Sequence, residues 1–108
     1  MKLLTAEIRS KIPSLYTQEH VEDKIVFCKF FCPWSNWTWF ATEGSQEHLD
    51  DFTFFGYVVG LEREWGYFLL SELQALRGPG GLTIERDLSF KPAPFSQVIA
   101  QFLKQRGL

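Results

Sequence analysis

Apolar residues dominate the middle of this chain on both parities. KIVFCKFF (24–31) places Val26, Cys28 and Phe30 on one side and Ile25, Phe27 and Phe31 on the other. DFTFFGYVVGL (51–61) likewise sets Phe52, Phe54 and Val58 against Phe55, Tyr57, Val59 and Leu61. NWTWFATE (36–43) and WGYFLL (65–70) complete four strand-like runs, and their short connections predict antiparallel neighbours in a meander. A one-sided sheet alternates apolar with polar residues. These runs do not, so the sheet needs cover on both faces or must offer one face to a partner.

Helical spacing appears at three places. Thr5 is an N-cap candidate, Ile8 and Ile12 lie one turn apart, and Pro13 stops the first helix. Ser71 opens SELQALRG with Gln74 three positions on, the spacing of a capping box. FSQVIAQFLKQRGL (95–108) stacks Val98, Ile99, Phe102 and Leu103 on one face, with Gln101, Lys104 and Arg106 outward. Between them LTIERDLSF (82–90) alternates Ile84, Leu88 and Phe90 with polar residues, predicting a fifth, half-exposed strand. The expected fold is therefore α+β: an antiparallel sheet of about five strands, four in a meander plus one, with N-terminal, central and C-terminal helices. At 108 residues the chain is expected to form one domain.

Composition narrows the function. An aromatic share of 17% supplies a core without disulfides or metal. The charge of −2, with both signs interspersed, lacks the basic excess that phosphate neutralisation requires, so nucleic acid is the less favoured partner. Thr5, Glu7 and Arg9 interrupt any apolar leader, and no run is long enough for a membrane span, so a cytoplasmic location is expected. Cys28 and Cys32 sit roughly 13 Å apart if the strand is extended, too far for a disulfide. With only His20 and His48 as further soft ligands, neither a metal nor a cofactor is expected.

No catalytic arrangement stands out. The serines lack a nucleophile elbow, and GPGG (78–81) lacks the lysine of a phosphate loop. Glu85 and Asp87 form the one carboxylate pair suited to acid–base work, as in a small hydrolase or nuclease, although two positions on a polar strand face are ordinary surface. Arg86, between them, falls on the apolar side with Ile84 and Leu88 and needs a partner, for which Glu43 and Glu62 are candidates. Arg86 with Trp39 and Tyr57 would line a small pocket. Trp37 and Trp39 share a strand face, with at least one expected in the core, while Trp34 in the preceding turn is the one expected to meet solvent or a partner. EGSQEHLDD (43–51) reads as a solvated acidic loop.

KLLTAEIRSKIPSLY, SNWTWFATE, FFGYVVGLEREWGYF and SELQALRGPGGLTIERDLSFKPAP together resemble the bacterial family named domain of unknown function 2958. The resemblance runs to about Pro94. It implies a small accessory protein of plasmids, integrative elements and phages, with no reaction to carry over to any residue. The expected function is thus a non-catalytic interaction protein that binds another protein through aromatic and acidic surface, with counter-defence as a setting. Trp34, Trp39, Tyr57, Glu85, Arg86 and Asp87 are the candidate binding residues. A nucleic-acid accessory role through stacked tryptophans is the alternative, and an uncovered face would also serve a homodimer.

Overall fold

A computed structural model describes residues 1–108. Its centre is a five-stranded antiparallel sheet in the order β5-β4-β3-β2-β6, where β2 is Cys28–Phe31, β3 Thr38–His48, β4 Asp51–Val59, β5 Arg63–Leu69 and β6 Glu85–Arg86. β2 to β5 form the expected meander, and β6 adds to the outer edge of β2. A separate two-residue strand, β1 (Ile25–Val26), pairs with β7 (Ala93–Pro94). The helices are α1 (Ala6–Lys11), α2 (Leu70–Ala75) and α3 (Phe95–Gln105).

The doubly apolar strands are explained by two cores, one on each sheet face. The larger contains Leu3, Leu4, Cys28, Phe30, Trp39, Ala41, Phe54, Phe68, Leu73 and Ile84, under the N-terminal segment and α2. Phe54 is its hub, meeting Phe30, Phe52 and Phe68 at ring separations of 5.4, 5.0 and 5.2 Å. On the opposite face α3 packs Val98 and Phe102 against Val26 and Phe40, with Tyr57, Val59 and Phe95 at the margin.

The first predicted strand breaks because its neighbours want different cores. Val26 joins the α3 core, whereas Phe27 and Cys28 both pack on the larger one, so alternation fails at Phe27. Val26 is thus not on the side of Cys28 and Phe30. The fifth predicted strand, 82–90, joins the sheet only at Glu85–Arg86, and Thr83 makes an isolated antiparallel bridge with Arg77. Beyond it Asp87 turns the chain by accepting from the Ser89 N–H, leaving Leu88 exposed.

The segment expected to be an acidic loop is instead the end of a hairpin. β3 continues to His48, which pairs with Asp51 across Leu49 and Asp50. An extra residue at Thr42 shifts the register between Ala41 and Glu43. Without that bulge Glu43 would share the face of Trp39 and Ala41; with it, the carboxylate is re-aimed to the other side. There Glu43, 3% exposed, accepts the N–H groups of Tyr16 (3.0 Å) and Gln18 (2.5 Å). Gly44 N–H to Pro13 carbonyl and Leu15 N–H to Ser45 Oγ complete the attachment of residues 13–18. Tyr16 takes a φ of 73°, a left-handed conformation that this clasp holds in place.

Two helix starts are secured from a distance. Ser71 lies within the first turn of α2 rather than capping it, and Glu72 Oε1 accepts from the Leu69 N–H (2.8 Å). The Ser71 N–H and Oγ–H both donate to the Asp51 carboxylate (3.0 and 2.6 Å). At α3 the Ser96 N–H and Oγ–H donate to Asp23 in the same way (2.9 and 2.6 Å). The serine hydroxyl, then the N–H, holds each carboxyl below the usual aspartate range. A lowered folded-state pKa means the contribution is full at neutral pH and fades as pH falls through and below the ordinary value of 3.8. Asp23→Asn and Asp51→Asn should therefore lower the Tm at neutral pH. The gap from wild type should close in thermal melts below that pH; a gap of constant size down to acid pH would contradict the assignment.

Candidate functional site: a tryptophan cleft with an acidic flank

The β2–β3 connection is short and tightly bonded. The Cys32 N–H donates to the Trp37 carbonyl (3.0 Å), the Ser35 N–H to the Cys32 carbonyl (3.3 Å), and the Trp37 N–H to Ser35 Oγ (3.2 Å). This turn throws Trp34 and Trp37 to opposite sides of Trp39, each onto a glycine. A Cβ at Gly78 would fall on the Trp34 indole, and one at Gly60 would fall on the Trp37 ring, 2.5 Å from its nearest atom. Glycine is needed at both places because the indoles lie flat on the backbone.

The three rings, with Cys32, Ser35 and Leu76, line a cleft of about 420 Å³. Trp39, 6% exposed, forms the floor, and Trp37, 39% exposed, forms a wall 5.9 Å from it between ring centroids. The other side of Trp37 faces a second depression of about 330 Å³, lined by Val58, Leu61, Glu62 and Glu64. Neither glutamate is in an ion pair, and Leu61 is 94% exposed. One indole thus separates an apolar cleft from an apolar floor carrying two free carboxylates.

Trp37 and Trp39 share a face as expected, and Trp39 is the core member. Trp34 and Trp37 exchange the roles expected of them. Trp34 is half-buried against the larger core, while Trp37, one residue ahead of β3, is the exposed ring. No lysine or arginine lines the cleft. Lys29 Nζ sits instead over Phe102 and Phe40 (5.5 and 5.9 Å), and Lys24 Nζ over Trp65 (6.0 Å).

The remaining candidates lie elsewhere. Trp39 pairs with Val58, so Tyr57 points to the opposite face, and Trp39, Tyr57 and Arg86 line no common pocket. Arg86 meets neither Glu43 nor Glu62. Its Nε and Nη2 both donate to the Lys2 carbonyl (3.4 Å each), which straps the N-terminus over the β6 edge. Asp87 is paired with Lys29 (3.6 Å) in a groove beside α3, and Glu85 stands on β6 opposite Phe31. Burial pushes the Cys28 thiol up to about 12, only weakly opposed by Arg86, so it stays protonated and inert. No group of three or more His, Cys, Asp or Glu side chains is placed to hold a metal ion.

Glu62, considered only as a partner for Arg86, and Leu61, Glu64 and Leu76 were not among the binding residues expected from the sequence. The signal was present in LEREW, where acids flank a strand start, but only the fold of β5 beside β4 carries them to Trp37.

Residues 3–107 match the family described as protein of unknown function (DUF2958), and the chain belongs to that family. No curated protein and no solved structure matches it. No helix is long and apolar enough to cross a membrane.

The unequal burial of the tryptophans has a direct consequence. Trp39→Ala should cost about 3–5 kcal/mol in urea denaturation, the range for emptying an aromatic core site. Trp37→Ala should cost only about 1 kcal/mol. Equal losses would show that Trp37 is held by the core rather than presented to solvent.

Proposed function

We propose that this family member is a non-catalytic accessory protein that binds another protein through the Trp37 cleft and its acidic flank. The observation that carries the reading is the position of Trp37. It is an exposed indole held on Gly60 between the apolar cleft and the unpaired Glu62 and Glu64. Exposed tryptophans in rigid surroundings supply large contact area with little entropy loss and are frequent anchors at interfaces. A partner that fits presents an apolar side chain to the cleft and a lysine or arginine beside it. The cation would lie over the Trp37 face between the carboxylates.

A setting on mobile DNA, where such a protein would act against host defence, suits this chemistry and comes from the family resemblance alone. Of the residues first considered, Trp34 and Trp39 belong to the binding surface as its wall and floor. Tyr57, Glu85, Arg86 and Asp87 lie outside it.

The test is affinity capture from host lysate with the wild-type chain and two variants, Trp37→Ala and the charge reversal Glu62→Lys/Glu64→Lys. One stoichiometric protein should be retained by wild type and lost with either variant, with affinity falling roughly thirtyfold for Trp37→Ala (about 2 kcal/mol). Rising salt should weaken the complex. A protein retained equally by all three chains would contradict the reading.

A further inference from the structure

The two edges of the sheet are treated differently. At the β6 edge only two residues pair, the Arg86 N–H points to Met1 Sδ (3.1 Å), and the N-terminal segment lies over the strand. The β5 edge is seven residues long, has no proline, and pairs with β4 without a register shift. Edges are ordinarily blunted by shortness, bulges, proline or cover, since bare ones pair with other strands. Only Arg63 and Glu64, at one end, do that service here.

The hydrogen-bonding direction along β5 follows from its turn. The Gly60 N–H donates to the Glu62 carbonyl (2.9 Å), so by alternation Glu64, Gly66 and Phe68 direct their backbone groups to β4. Arg63, Trp65 and Tyr67 direct theirs outward, and no backbone or side-chain group outside the sheet answers them. Leu69, the next outward position, confirms the phase, because its N–H is taken by Glu72.

The outward residues also carry the aromatic surface that α3 leaves uncovered. Trp65 (39% exposed) and Tyr67 (57% exposed) continue a ladder with Tyr57, Phe55 and Phe95 at ring separations of 4.7 to 5.9 Å. Gly66 stands between them, with open space where a Cβ would be.

We propose that the chain forms a two-fold homodimer by antiparallel pairing of β5 with β5 of a second copy, centred on Gly66. In this register Trp65 lies opposite Tyr67 of the second copy, twice. The outward backbone groups of Trp65 and Tyr67 are then satisfied, and the two aromatic ladders join on one face of a continuous sheet. The glycines meet at the axis as a non-hydrogen-bonded pair, where Cα atoms come closest, about 4.5 Å. A second copy is the occupant because this strand supplies both members of each aromatic pair, symmetrically about the glycine. The inference is independent of the tryptophan cleft, which sits at the β2–β3 connection on the opposite face.

Sedimentation equilibrium should give a mass twice that of one chain at high concentration. Tyr67→Pro removes an outward N–H that β4 does not use, and should shift the protein to monomer while circular dichroism stays unchanged. Gly66→Cys places a thiol in open space at the axis, so mild oxidation should yield a disulfide-linked dimer on non-reducing gels. Glu64→Cys, off the axis, should not cross-link, and the native Cys28 and Cys32 are buried. A wild-type chain monomeric at every concentration would overturn the proposal and leave the edge to a foreign strand. A dimer whose Gly66→Cys variant fails to cross-link would overturn it as well.

Discussion

A sheet that is apolar on both faces must be covered twice, and this chain has only three short helices and its terminal segments to do it. That constraint organises the molecule. The larger core takes the N-terminal segment, α2 and the stretch around Ile84 on one face; α3 takes part of the other. Residues 13–18 are then pinned over the far end of β3 by the Glu43 clasp. Single side chains such as Tyr16, Leu49 and Leu88 stand exposed in turns and loops, but two uncovered places lie on the sheet itself: Trp37 with Leu61 on one side, and the Trp65–Tyr67 ladder along β5 on the other. Each is aromatic, regular and held by well-packed neighbours. The exposed surface is as much a product of the folding problem as the core.

The order of elements was legible because it rests on local signals. Thr5 capping α1 through the Ile8 N–H, the meander, and the Val98–Phe102 stripe of α3 all follow from spacing within a few residues. What was not legible depends on contacts distant in sequence. The bulge at Thr42 exists because Glu43 is drawn to N–H groups more than twenty residues away, and no local pattern announces it. The same holds for Asp51 at Ser71 and Asp23 at Ser96, where the partner lies across the fold. Arg86 was rightly marked as a cation on an apolar face, but its acceptor is a backbone carbonyl at Lys2, which carries no charge to recognise.

The candidate site shows the same division. The cluster of tryptophans drew attention in the sequence, and the strand period placed Trp37 and Trp39 together. Two glycines seat the outer rings: Gly78 lets Trp34 lie against the core, and Gly60 lets Trp37 lie flat over the β4–β5 turn at the strand end. The carboxylates beside Trp37 are Glu62 and Glu64, because the β4–β5 turn returns them to the Trp37 face. A surface held this way by two hairpins suits the proposed docking, since a preorganised surface loses little entropy on binding.

The central claim is that the partner seats on Trp37 and its acidic flank. Hydrogen–deuterium exchange of the chain, free and in complex with the captured protein, tests it most directly. The account predicts new protection over residues 32–39 and 60–64, with the groove lined by Lys29, Ser89 and Gln101 unchanged. Protection confined to that groove, with the tryptophan turn exchanging as in the free chain, would contradict it.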